Sequence, residues 1–103
     1  MSRRLQRVTD WAAVAADCGY RIQQIAHKYR VSERTVHRYI RRRFKTKPKR
    51  WLDELRAQVA AQQLADGESI KNVAKHCKFA QPQNFTKFFK RVRGSTPRTY
   101  LGN

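Results

Sequence analysis

Acidic residues are scarce in this chain. Seven Asp and Glu stand against 24 Lys and Arg, which leaves a net charge of +17 and a pI near 11.2. Self-repulsion of that size destabilises a compact fold unless a partner offsets it, and dense, regular negative charge is the natural offset. Glycine (four) and proline (three) are also few, so little of the 103 residues reads as linker. The length suits one ordinary domain, or two small halves on one scaffold. Two cysteines, Cys18 and Cys77, lie far apart with no C-x-x-C between them. That is no disulfide framework, and it suits a reducing cytoplasm. No apolar run approaches the ~20 residues that span a bilayer. "MSRRLQRVTD" has no apolar segment behind its basic residues, so no secretory signal is read there. No helix pairs a broad aromatic and Leu face with a basic one, which argues against an anionic membrane surface. No stretch alternates with period two long enough to make a strand.

Charge is laid out in blocks. Residues 21–50 hold twelve basic residues and one acid, Glu33; residues 70–103 hold eight basic residues and no acid. Residues 51–69 between them carry Asp53, Glu54, Asp66 and Glu68 against a single base, Arg56. Two basic blocks therefore flank a mildly acidic spacer, and nucleic acid is the first partner to consider.

Every periodic segment reads as helix. Trp11, Val14, Ala15 and Cys18 fall at i, i+3, i+4 and i+7 behind a cap at Thr9 or Asp10, with Gly19 as a left-handed stop. Ile22, Ile25, Ala26 and Tyr29 repeat the spacing. Ser32 then caps "ERTVHRYIRRRF", in which Val36, Tyr39, Ile40 and Phe44 face inward. Pro48 suits the first turn of a long helix that ends at Gly67, with Trp51, Leu52, Leu55, Val59 and Leu64 on its apolar stripe.

After Ser69 the pattern restarts. Ile70, Val73, Ala74 and Cys77 answer Ile22, Ile25, Ala26 and Tyr29 at an offset of 48, and Phe79 answers Val31. One residue later in offset, Phe85 answers Val36 and Phe89 answers Ile40, and "PRTYL" at 97–101 answers "PKRWL" at 48–52. The unit is a short helix with a small central residue, a turn pinned by an apolar side chain, and a second helix. That is the logic of a helix-turn-helix, whose second helix lies in the DNA major groove. The chain is therefore expected to be all-α, with about seven helices. Its expected parts are a loose basic arm (1–8), a first helix-turn-helix subdomain (9–47), a linker helix (48–67) and a second subdomain (68–103).

The segments "IAHKYRVS", "TVHRYIRRRF", "PKRWL", "SIKNVAKHCKF" and "NFTKFFKRVRGSTPRTYL" carry a family likeness. Over residues 10–101 the chain resembles the DNA-binding domain of AraC/XylS-type transcription regulators. The resemblance implies two helix-turn-helix subdomains on a long linker helix, sequence-specific binding of double-stranded DNA, and activation of transcription through RNA polymerase as a second partner. It places base-reading side chains at Arg34, His37 and Arg38 in the first recognition helix, and at Gln83, Asn84, Thr86 and Lys87 in the second. Arg suits guanine O6 and N7, and Gln or Asn suits adenine N6 and N7. Ser32 and Thr35 are expected to anchor phosphate near a helix N-terminus, with Arg41, Arg42, Arg43, Lys90 and Arg91 tracking the backbone. The chain departs from the family pattern at Lys45 and Lys78, where glycine is usual. It also departs at "AQPQ" before the second recognition helix, where polar caps are usual, and at Leu101, where Arg is common.

The two recognition helices are expected about 34 Å apart, in successive major grooves of an asymmetric site, so that a monomer suffices. A cytoplasmic, nucleoid-associated bacterial activator without a small-molecule effector domain is the expectation. Neither catalytic residues, cofactor nor metal is expected. His76 beside Cys77 lacks the three or four ligands zinc requires, and no Ser/His/Asp set, paired carboxylates or Gly-rich phosphate loop is present. The rival readings are the DNA-binding portion of a transposase or recombinase, a low-specificity nucleic-acid-binding protein, and a protein-docking module built on the acidic spacer and Trp51.

Overall fold

A computed structural model describes residues 3–102. Among the described residues there are eight helices and no strand. They are α1 (Arg3–Gln6), α2 (Trp11–Asp17), α3 (Ile22–Tyr29), α4 (Glu33–Phe44), α5 (Pro48–Ala65), α6 (Ile70–His76), α7 (Pro82–Arg93) and α8 (Pro97–Tyr100). The chain divides into two compact units, Met1–Leu55 and Arg56–Asn103, and the division falls inside α5.

In the first unit, Asp10 starts α2 by accepting the Ala13 N–H at 3.1 Å. The helix stops where Gly19 turns left-handed (φ 63°), a conformation that costs glycine nothing. The core gathers Ala15, Cys18, Ile25, Ala26, Val36, Tyr39, Ile40, Trp51 and Leu52. It is rich in rings. Trp11 lies 5.4 Å from Trp51 edge-on, and Phe44 stacks on Trp51 at 4.9 Å.

The expected loose arm is corrected here. Residues 1 and 2 lie outside the described residues, but Arg3–Gln6 is helical and Leu5 is 0% exposed in this core. Burial of that one apolar side chain in the core favours an ordered segment over a loose one. This accounts for the eighth helix.

The second unit fills the same plan differently. Its core is Ala57, Ala60, Ala61, Leu64, Val73, Ala74, Cys77, Phe85, Phe88 and Phe89. Ala57, Ala60, Ala61 and Leu64 stand at i, i+3, i+4 and i+7, the spacing that Trp11, Val14, Ala15 and Cys18 use in the first unit. Val59, expected on the stripe of α5, is only half-buried, because the apolar face of that helix changes partway along it. Phe88 is buried with Phe85 and Phe89.

The turns between α3 and α4 and between α6 and α7 are the same Schellman motif. The Val31 N–H donates to the Ala26 carbonyl at 3.0 Å, and the Phe79 N–H to the Ala74 carbonyl at 2.9 Å. Arg30 (φ 54°) and Lys78 (φ 68°) hold the left-handed position that glycine usually takes. Lys45 ends α4 in the same conformation (φ 58°). The glycines missing at positions 45 and 78 are thus missing where backbone geometry favours them, at a cost of about 1 kcal/mol each.

Candidate nucleic-acid interface

In the first unit α4 has two faces. Val36, Tyr39 and Ile40 are buried, while Arg34, His37, Arg38 and Arg41, at i, i+3, i+4 and i+7, are exposed. Arg42 is exposed beside them, and the Arg43 guanidinium sits 5.2 Å from the Phe44 ring. After Glu33 no acid occurs in α4, and Glu33 sits in the first turn, where the helix dipole favours it. Ser32 Oγ accepts the Thr35 N–H at 3.0 Å and lies 2.9 Å from Thr35 Oγ1. Both hydroxyls expected to anchor phosphate are therefore at the helix N-terminus, joined to each other through the cap. At the other end of α4, Arg41, Lys45, Thr46 and Lys47 line an open recess of about 370 Å³. Three cations line it, of which only Arg41 was expected from the sequence to meet phosphate.

The second unit repeats the division. Phe85, Phe88 and Phe89 line the buried face of α7; Gln83, Asn84, Lys87 and Lys90 are exposed on the other. Arg91 is exposed too, with its guanidinium 5.6 Å from the Phe88 ring. Thr86 differs from its neighbours, being half-buried and donating its hydroxyl to the Pro82 carbonyl at 3.2 Å. The helix begins at Pro82, and Gln81 before it makes no side-chain cap. A second recess, of about 490 Å³, is lined by Ile70, Lys71, Pro82, Thr86, Thr96, Pro97 and Arg98, where α6, α7 and α8 begin.

Each unit thus offers one helix with an apolar back and a cationic or amide-bearing front, set by a tight turn. Residues 25–103 match the helix-turn-helix domain family of AraC/XylS type, a span that includes both turns. The chain belongs to the AraC/XylS-type helix-turn-helix family.

Other members of the AraC/XylS-type family are similar along much of the chain. The HTH-type transcriptional activator RhaS of Escherichia coli O157:H7 is 32% identical over 75 residues, which is 72% of this chain and 27% of the relative. RhaS of Yersinia pestis (strain Pestoides F) is 28% identical over 96 residues, 92% of this chain and 35% of the relative. The chain therefore spans about a third or less of the length of these activators. Two solved structures share the fold, each with a TM-score of 0.72. One is a DNA-binding transcriptional dual regulator from Escherichia coli K-12, 26% identical, covering 88% of this chain and 85% of that one. The other is the DNA-binding domain of AdpA, a global transcriptional factor, in complex with a target DNA; it is 28% identical and covers 87% of this chain and 85% of that one.

Two arginines that periodicity does not single out hydrogen-bond to the two turns of this chain. Arg4 Nη1 donates to the Arg30 carbonyl at 2.7 Å, and Arg56 donates from Nε to the Cys77 carbonyl at 2.8 Å and from Nη2 to the Lys78 carbonyl at 3.1 Å. The one available signal was that Arg56 is the lone base in the acidic spacer. Burial pushes the Cys18 and Cys77 thiols above their ordinary pKa, which disfavours thiolate at either. Among the described residues, no group of three or more His, Cys, Asp and Glu is placed to share a metal ion, and no helix is long and apolar enough to cross a membrane.

Proposed function

We propose that the chain is the DNA-reading part of a bacterial transcription regulator, inserting α4 and α7 into successive major grooves of an asymmetric site. The observation that carries this reading is the two-faced construction of both helices, each behind the same Schellman turn. An apolar back fixes the helix in its unit, and the front, which carries no acid beyond Glu33 in the first turn of α4, is turned outward to meet DNA. The AdpA domain, similar in fold and solved on its target DNA, supports the same reading.

In this reading Arg34, His37 and Arg38 reach base edges from α4, and Gln83, Asn84 and Lys87 do so from α7. Thr86 is the weakest reader of the set, since its hydroxyl already serves the Pro82 carbonyl. Ser32, Thr35, Arg41, Arg42, Lys90 and Arg91 meet phosphates, as do the cations of the two recesses. Two units on one chain supply what a dimer of single helix-turn-helix proteins supplies, so a monomer binds. The chain acts by binding, in the cytoplasm and on the nucleoid, and activates transcription, as the similarity to the activator RhaS suggests, with RNA polymerase as its second partner.

Selection from random duplex DNA tests this directly. The expected result is a gapped, non-palindromic motif of about 16–20 base pairs. Affinity for it should fall steeply with salt, with a slope of about −0.9 per phosphate neutralised. A flat salt dependence removes the reading, and strong binding without an enriched motif replaces it with low-specificity nucleic-acid binding.

A further inference from the structure

We propose that Arg4 and Arg56 are equivalent positioning residues, each fixing the angle at which its own unit presents a recognition helix to DNA. The proposal rests on the function proposed above and adds residues that lie outside both recognition helices. A Schellman turn satisfies the carbonyls one turn back, at Ala26 and Ala74, but leaves those of its last two residues without intrahelical partners. Those residues are Tyr29 and Arg30 in the first unit, and Cys77 and Lys78, 48 positions later, in the second. A guanidinium reaches this pair of carbonyls in both. Arg4 Nη1 lies 2.7 Å from the Arg30 oxygen and 3.5 Å from that of Tyr29, and Arg56 takes one carbonyl with each of two nitrogens.

The arginines come from different places, one from α1 and one from α5, yet both grip the left-handed residue that sets the direction of the next helix. In the second unit the grip extends further. The Arg56 guanidinium lies 3.8 Å from the Phe79 ring centroid, and Phe79 packs on Phe85 and Phe88 of α7 at 5.5 and 5.1 Å. A planar, two-pronged, stacking cation is what this site uses, and lysine supplies only the charge. A base contact that needs hydrogen bonds in line fails with small displacements of its helix, so the front of α7 depends on a residue that never touches DNA.

The test uses the full chain on its selected duplex and on duplexes altered separately in the half read by α4 and the half read by α7. Arg56→Lys is expected to lower discrimination in the α7 half by about tenfold, the worth of one good base contact, while leaving the α4 half and non-specific affinity unchanged. Arg4→Lys is expected to give the reciprocal pattern with a smaller effect, because among the described residues no ring lies against the Arg4 guanidinium. A role confined to stability would move both halves together. Equal loss in both halves, an unchanged profile, or loss of the second unit's helices in Arg56→Lys each overturns the proposal. A wild-type chain that selects no motif brings down the proposed function and this inference with it. A selective wild type with an unchanged Arg56→Lys profile overturns this inference alone.

Discussion

The two units share one plan and almost no core chemistry. The first packs Trp11, Tyr39, Phe44 and Trp51 against one another. The second packs Phe79, Phe85, Phe88 and Phe89 onto a row of alanines on α5. Where the first has Trp11 and Val14 the second has Ala57 and Ala60, and where the first has Val36 and Ile40 the second has Phe85 and Phe89. Bulk has moved from the supporting helix to the recognition helix. What both units keep is the turn: small Ala26 or Ala74, a left-handed basic residue, and an arginine on its carbonyls. Side-chain volume can be redistributed as long as the total fills the interior, whereas a turn that aims a helix has few backbone solutions.

That contrast predicts where the molecule is most easily damaged. Phe85→Ala empties a fully buried ring site in α7 and should destabilise the second unit by about 3–5 kcal/mol. Its counterpart Val36→Ala removes two methyl groups and should cost the first unit roughly 2 kcal/mol. The distribution of tryptophan makes the two separable. Trp11 and Trp51 both lie in the first unit, so fluorescence reports that unit while far-UV circular dichroism reports all helices. In Phe85→Ala the dichroism should begin to fall at lower denaturant than the fluorescence. Coincident transitions would mean that the units unfold as one, and would end the picture of two independent cores.

Much of this architecture is legible in the sequence, because it is written in repeats. The 48-residue offset pairs Ile22 with Ile70 and Ala26 with Ala74, and it places both turns without any coordinates. Ser32, Ser69 and Thr96 cap helices as side-chain chemistry dictates, each accepting a backbone N–H three residues on. The outward positions of Arg34, His37, Gln83 and Lys87 follow from the apolar face behind them. What such patterns cannot carry is single-residue tertiary contact. Leu5 and Val8 are a single apolar pair among basic residues, too short a pattern to read as a helix face, and the burial of Leu5 makes α1 part of the fold. The alanine row of α5 is too small in side chain to outweigh Val59 by hydrophobicity. Arg4 and Arg56 look like two more charges in a chain of 24 Lys and Arg, because their targets are backbone carbonyls 26 and 22 residues away.

The recognition helices also differ in how they start, and this sets a middle tier of effects. Ser32→Ala removes the α4 cap and should destabilise the first unit by about 1 kcal/mol. At Gln81, where no side-chain cap exists, Gln81→Ser should do the reverse and raise the second unit's stability by roughly 0.5–1 kcal/mol. Thermal unfolding of both variants checks the pair. A gain of nothing from Gln81→Ser would show that the Pro82 start leaves no orphan N–H for a serine to take.

The smallest effect separates two roles for Lys78. Its φ of 68° costs a residue with a Cβ about 1 kcal/mol relative to glycine, while glycine concedes some of that in unfolded-chain entropy. Lys78→Gly should therefore stabilise the second unit by about 0.5 kcal/mol, and because Arg56 holds the Lys78 carbonyl rather than its side chain, that bond survives the change. If the ammonium also meets a DNA phosphate, the same variant lowers the slope of log affinity against log salt by about 1, uniformly across sequences. A stabilised variant with an unchanged slope makes Lys78 a strained substitute for glycine. A stabilised variant with a shallower slope shows a turn that accepts backbone strain in exchange for a phosphate contact, and Arg30→Gly in the first unit then asks whether both turns make the same exchange.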